Sequence, residues 1–202
     1  MNVAIVNISM GNVGSVEEAF RFLGAQVSLA STPEGLSKAD LLVLAGVGNF
    51  KAAATKLRQQ GFAEALDAEV RPGGRPILGI CLGMQLFATL GTESADTPGF
   101  GWIPGRVVRL EGQDCKVPHI GWNSVTPVGK SFFPHGEQSY YFMHGYHFLP
   151  DDRSCVVATT PYCGLDLVSA VRRGNVLGVQ FHPEKSQGDG LRCLKAVLEE
   201  FS

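Results

Sequence analysis

The sequence predicts an α/β fold in which a mainly parallel central sheet is flanked by helices and extended by appended antiparallel strands. Three observations carry this. Strand and helix signals alternate through the first half of the chain. The strands there are continuous apolar runs, the pattern of a sheet covered on both faces. The second half shows short β-type runs separated by turn residues, the pattern of hairpins.

The first strand runs from Val3 to Ile8, and Gly11 and Gly14 punctuate the chain after it. Ser15 and Glu18 have the spacing of a capping box. Val16, Ala19, Phe20 and Leu23 then repeat at i, i+3, i+4 and i+7, one apolar face of a helix that Gly24 stops. Gln26 to Ala30 reads as a second strand, and Leu41 to Leu44 as a third that ends in the turn Gly46-Val47-Gly48. Helical patterning spans Ala52 to Arg71. Pro76 to Ile80 is a fourth strand, and Leu82 to Leu90 reads as a helix. Beyond it, β-type runs recur at Arg106 to Leu110, Asn123 to Thr126, Tyr140 to Phe142, Cys155 to Thr160, Val168 to Arg172 and Val176 to Phe181. A last helix starts near Gly190, with Leu191, Leu194, Val197, Leu198 and Phe201 on one face. No linker, repeat or low-complexity segment interrupts the chain, so residues 1–202 are expected to form one domain.

The 202 residues suffice for a buried core, and 45% hydrophobic with 18% charged residues excludes disordered, collagen-like and coiled-coil classes. A formal net charge of −2 offers no electrostatic hold on nucleic acid or anionic membrane. No run reaches the length of a membrane span, and the first residues lack a basic leader. Five cysteines, widely spaced and without a CxxC pair, predict neither a disulfide framework nor a zinc site. The expectation is a soluble protein of a reducing compartment, the cytoplasm.

Three short segments carry chemistry. Gly79-Ile80-Cys81-Leu82-Gly83 has the form of a nucleophile elbow between a strand and a helix. The glycines allow a strained turn, and the helix N-terminus favours a thiolate at Cys81. The bland alternative is a buried cysteine in a glycine-rich strand end. Phe181-His182-Pro183-Glu184 is the second segment. In extended chain Glu184 lies beside His182, and a carboxylate there holds the imidazole in one tautomer, the base-and-orienter pair a cysteine needs. Alone, the tripeptide is weak and reads more readily as a surface turn. The third is the turn from Gly46 to Gly48. An oxyanion needs backbone donors, and the N–H groups of Leu82 and of Val47 are candidates. Without Cys81 the turn would be read as a plain one.

Together these segments are similar to a known family. Pro76-Ile77-Leu78-Gly79-Ile80-Cys81-Leu82-Gly83-Met84-Gln85 resembles the nucleophile motif of class I glutamine amidotransferases, and Phe181 to Ser186 completes that family's Cys-His-Glu triad. More narrowly, Gly11 to Val16, Gly46 to Gly48, Pro118 to Asn123, Tyr141 to His144 and Gly178 to Ser186 resemble, in order, the glutaminase subunits of imidazole glycerol phosphate synthase. The resemblance implies a flavodoxin-like fold and a glutaminase without cofactor or metal. Cys81 would attack glutamine, with His182 as base and then acid and Glu184 as its orienter. Val47 and Leu82 would hold the oxyanion. Gly48, Gln85, His144, Gly145 and Tyr146 match positions lining the glutamine pocket. Asn12, Trp122, Tyr141 and Lys185 match positions facing a (β/α)₈-barrel cyclase subunit, the heterodimer partner that takes up the ammonia. The plain alternative for those four is ordinary surface packing.

Two positions depart from the family pattern. Ala45 stands where the family has proline before Gly-Val-Gly, and Gly145 where it has serine. Ala45 restores an N–H and frees φ, which loosens the oxyanion turn. Gly145 removes a hydroxyl and leaves backbone groups to bind glutamine. Paralogous subunits that feed surface-polysaccharide sugar-modifying enzymes share the motifs and form an alternative. A cysteine peptidase or thioesterase is another, against which Gln85 and the 118–123 segment speak. A scaffold with a dead triad would lack Cys81, His182 or Glu184, and all three are present. A dinucleotide site fails because Gly11 and Gly14 do not form G-x-G-x-x-G.

Overall fold

The computed structural model describes residues 1–202 apart from 12, 72–73, 113–114, 130–132 and 134–137. The elements follow the expected alternation. Strand β1 (Asn2–Val6) leads to helix α1 (Val13–Phe22), β2 (Gln26–Ala30) and β3 (Leu41–Gly46). Helices α2 (Phe50–Gln59) and α3 (Phe62–Val70) precede β4 (Ile77–Cys81) and a short helix α4 (Leu82–Gln85). Two-residue strands β5 (Leu90–Gly91) and β6 (Thr97–Pro98) follow. Then come β7 (Gly105–Arg109), β8 (His119–Pro127), β9 (Gln138–His144), β10 (Tyr146–Pro150), β11 (Val156–Tyr162), β12 (Leu165–Arg173) and β13 (Val176–Val179). Helix α5 (Gln187–Glu200) is the last element.

Nine strands form one sheet in the order β2-β1-β3-β4-β13-β12-β11-β8-β9. The first five run parallel and the last four antiparallel. A second sheet orders β10-β7-β5-β6. The parallel strands are buried throughout β3 up to Gly46 and throughout β4, as continuous apolar runs require. Val3, Ile5, Leu41 and Val43 face one core with α1 and α5, while Ala4, Val6, Leu42 and Leu44 face the other with α2 and α3. This is the alternation that a pleated strand between two helical layers imposes.

Several expectations need correction. Helix α1 begins at Val13, so Ser15 sits inside its first turn and is not the cap. The helix expected over 52–71 is two helices, linked at Gly61, whose φ of +75° turns the chain where an L side chain would be strained. Asn49 caps the first of them, its Oδ1 accepting the Ala52 N–H at 3.0 Å. The helix expected from Leu82 to Leu90 ends at Gln85. Its continuation is diverted because the carbonyls of Leu86, Phe87, Ala88 and Thr89 accept N–H groups from the 99–103 loop instead of from the next turn. Strands β5, β6 and β10 had no signal in the sequence reading. Helix α5 starts three residues earlier than expected.

The expectation of no disulfide is overturned. Cys115 and Cys163 are bonded, with Cα atoms 5.1 Å apart and a separation of 48 positions in sequence. Folding packs the β11–β12 turn against the segment after β7. Gly112 permits the approach, since a Cβ there would come within 3.1 Å of the Cys163 Cβ. The three free cysteines, Cys81, Cys155 and Cys193, are buried. Among the described residues no helix is long and apolar enough to cross a membrane.

Candidate active site

The carboxyl ends of β3, β4 and β13 converge on one point. In the β3–β4 ladder Gly46 pairs with Cys81, and in β13–β4 Val179 pairs with Ile80. The turn after β3 therefore starts opposite the cysteine, and Gln180 follows one step beyond its strand on the other side. Ligand sites of open α/β sheets lie at such carboxyl ends.

Cys81 occupies the elbow. Its φ of 54° and ψ of −108° are outside the regions open to most L residues, and it is 4% exposed. The glycines on each side are spatial requirements. A Cβ on Gly83 would lie 1.7 Å from the Leu44 carbonyl oxygen, and one on Gly79 would lie 2.6 Å from the Phe87 ring. The Cys81 thiol donates to the Met143 carbonyl at 3.8 Å, and the Gln180 amide nitrogen lies 3.7 Å from its sulfur.

His182 lies just past the end of β13 and forms an isolated antiparallel bridge with Tyr141, its N–H donating to the Tyr141 carbonyl at 2.8 Å. Glu184 sits in the helical turn Pro183–Lys185. Its Oε1 is 2.8 Å from His182 Nδ1, and the two side chains are 5% and 2% exposed. Burial acts to lower the His182 pKa, but the adjoining Cys81 sulfur and the Glu184 carboxylate outweigh it and hold the ring up at about 10. His182 Nε2 and Glu184 Oε2 complete no hydrogen bond of ordinary geometry. Loose contact between nucleophile and base is common in sites without substrate.

A cavity of about 210 Å³ opens in front of the sulfur. Val47, Gly48, Cys81, Leu82, Gln85, Glu93, Pro118, Met143, His144, Gly145 and Tyr146 line it. Every residue expected for the oxyanion and for the glutamine pocket is thus brought to one place. Gly48 has φ +107°, the conformation the turn needs. On the other side of Val47 a smaller cavity of about 70 Å³ is lined by His182, Glu184, Lys185 and the Gly11 loop. A larger cleft between α2, α3 and Phe100 holds no nucleophile or histidine.

The expected partner-facing residues lie apart from that cavity. Trp122 is 48% exposed and its ring meets Tyr141 edge-on at 6.2 Å. Lys185 is exposed beside the smaller cavity. Asn12 lies outside the described residues.

Four residues beyond those expected contribute to the site. Gln180, 1% exposed, accepts from Gln85 Nε2 at 2.9 Å as well as approaching Cys81. Glu93 puts a carboxylate into the cavity wall while accepting the Phe50 N–H at 2.7 Å at the start of α2. Ser186 Oγ donates to the His182 carbonyl at 2.6 Å and accepts the Tyr141 N–H at 2.9 Å. His119 packs its Nδ1 3.1 Å from His144 Nε2, while His144 Nδ1 lies 2.9 Å from the Tyr146 carbonyl. Burial keeps both rings neutral, His119 at about 4 and His144 at about 3. Of the four, Gln180 alone carried a local signal: it stands two residues before His182, on the same side of an extended segment.

Comparisons with known proteins identify the family. The family model for glutamine amidotransferase class-I matches residues 4–198. The imidazole glycerol phosphate synthase subunit HisH of Archaeoglobus fulgidus is 45% identical over 197 residues, covering 96% of this chain and 95% of its own. The subunit of the same name from Pelagibacter ubique is 38% identical over 207 residues, covering 98% and 99%. A crystal structure of a glutamine amidotransferase, 22% identical, superposes with a TM-score of 0.77 over 98% of both chains and supports the fold alone. With its elbow cysteine at the carboxyl ends of the parallel strands, the chain belongs to the class-I glutamine amidotransferase family, among the HisH subunits of imidazole glycerol phosphate synthase.

Proposed function

We propose that Cys81, His182 and Glu184 carry out glutamine hydrolysis and that the ammonia passes to a (β/α)₈-barrel cyclase subunit, which makes imidazole glycerol phosphate and aminoimidazole carboxamide ribotide. The Cys81 sulfur attacks the side-chain carbonyl carbon of glutamine with the thiol proton held on His182, the ring whose pKa the sulfur and Glu184 raise. The oxyanion meets the N–H groups of Leu82 and Val47. The C–N bond then breaks, His182 gives its proton to the departing ammonia, and a glutamyl thioester remains. Water attacks the thioester, leaves a proton on His182, and releases glutamate as the C–S bond breaks and the proton returns to sulfur.

One observation carries the reading. The Gly46–Cys81 register sets the oxyanion turn beside the nucleophile at the mouth of a cavity of about 210 Å³. That cavity has one carboxylate in its wall, Glu93, suited to the α-ammonium group of glutamine. Gln85 and the Gly145 and Tyr146 backbone supply polar contacts to the rest of the substrate. Trp122, Tyr141 and Lys185 are the cyclase-facing residues, and Asn12 keeps that assignment from the sequence alone. A single domain over residues 1–202 and a cytoplasmic location go with the reading.

The test is Cys81→Ala. It abolishes glutamine hydrolysis while fold and cyclase binding persist. Residual glutaminase activity above a trace removes Cys81 from the nucleophile role. Co-purification of a sugar-modifying enzyme in place of the cyclase would favour the paralogous subunit.

A further inference from the structure

The hydrogen bonds beneath Cys81 have a forced direction. The Tyr146 carbonyl can only accept, so the Gln85 side-chain atom 2.9 Å from it must be the Nε2 donor. The same NH₂ group faces Gln180 at 2.9 Å, so the Gln180 atom there must be its carbonyl oxygen. The Gln180 NH₂ is thereby turned toward the sulfur, 3.7 Å away. The Gln180 backbone is fixed as well, because its N–H donates to the Ser169 carbonyl at 2.8 Å. Its side chain is 1% exposed, so the donor is shielded from bulk solvent.

The neutral histidines support the same direction. His144 Nδ1 faces the Tyr146 carbonyl and must donate, which makes its Nε2 an acceptor for the His119 Nδ1–H. Two donors, His144 and Gln85, therefore saturate the Tyr146 carbonyl. Gln85 cannot rotate its amide without leaving that carbonyl half satisfied and setting two oxygens against each other at Gln180.

We infer that Gln180 is a further catalytic residue: its amide N–H donates to the Cys81 sulfur and steadies it as the attacking thiolate. A donor to the charged form of a nucleophile favours that form. Gln180 accordingly works on the sulfur itself, while His182 holds the proton. The inference rests on Cys81 being the nucleophile.

Iodoacetamide alkylation of the full-length chain, mapped to the Cys81 peptide, tests it alongside glutamine turnover. Gln180→Met fills the space without a donor. It lowers both the Cys81 alkylation rate and kcat by about tenfold, the scale of one hydrogen bond to a charged group. The KM for glutamine stays as it was, while the thermal midpoint falls because the buried Gln85 amide loses an acceptor. Gln180→Glu keeps the acceptor for Gln85 but offers the sulfur a carboxylate oxygen, and its loss is larger. This second variant decides the matter if Gln180→Met lacks a cooperative melt. Unchanged alkylation in Gln180→Glu overturns the inference. So does a raised KM with unchanged alkylation, which would make Gln180 a support for Gln85 alone. Alkylation does not depend on glutamine, so a glutaminase activity that survives Cys81→Ala would overturn the earlier reading separately.

Discussion

His182 Nδ1 lies 2.8 Å from Glu184 Oε1 in a contact closed to solvent on both sides. The carboxylate fixes the ring and shares its positive charge, while the proton traffic belongs to the imidazole. Glu184→Gln is therefore expected to cost less activity than His182→Asn, with kcat as the measure. Equal losses would assign the carboxylate more than an orienting role.

The same pair predicts a pH dependence of stability. The folded ring titrates at about 10 and an ordinary histidine at 6.5. The contribution of the ring is complete below pH 6.5 and is lost as pH rises toward 10. Denaturant unfolding of the parent and of His182→Asn across this range should show the parent's advantage shrinking with rising pH. His119 and His144 act in the opposite sense. Depressed to about 4 and about 3, they weaken the fold as pH falls below 6.5, because the unfolded chain takes up protons first.

Glutamine turnover by the isolated chain is expected to be low and to rise strongly with the liganded cyclase, with the Ala45 to Asn49 turn as the control point. In the resting state the Val47 N–H would point away from the oxyanion site, and a peptide flip would bring it in. One oxyanion donor is worth on the order of 10²–10³ in rate. Ala45→Pro stiffens the turn and lowers basal turnover. Gly11→Ala acts on the same peptide from behind: Gly11 has φ +101°, and a Cβ there would come 3.2 Å from the Val47 nitrogen. It should depress stimulated turnover while leaving glutamine KM unchanged. Steady-state kinetics with and without the cyclase read both variants.

Gly83→Ala should destabilise the fold by about 3 kcal/mol or more, beyond the usual range for one added methyl group, because the methyl meets backbone that cannot yield. Its Cβ would fall 1.7 Å from the Leu44 carbonyl oxygen. Chemical denaturation measures the loss.

What the sequence disclosed was whatever is encoded within a few residues. The elbow around Cys81 and the His182–Glu184 pair are local, so their spacing revealed them. Strands β1, β3, β4 and β13 were legible because burial on both faces leaves an unbroken apolar run. Gln180 showed only as a neighbour of His182 on one side of an extended segment and Glu93 not at all, since their positions near the sulfur and in the cavity wall come from the β13–β4 register and from the start of α2. The short α4 was hidden for a related reason. Its sequence is helical, and only the 99–103 loop, brought back by the fold, takes the carbonyls a longer helix would use. The Cys115–Cys163 bond joins residues 48 apart and could not be read from spacing.

That bond gives a further expectation. Closing a loop of this length stabilises by about 4 kcal/mol in the chain-entropy description. Cys163→Ser, or reduction of the parent, should lower unfolding stability by up to that amount. Thiol titration of the unfolded, unreduced chain should count three sulfhydryls, matching the free cysteines.

Strand β9 holds both reacting partners from one side. Its Tyr141 carbonyl takes the backbone N–H of His182, and its Met143 carbonyl takes the Cys81 thiol. The Tyr141 ring reaches out to meet exposed Trp122. The strand is thus a lever with its handle at the surface and its working end under the triad. Because one strand supports both residues, a displacement of β9 would alter the hold on histidine and cysteine together, without entering the cavity.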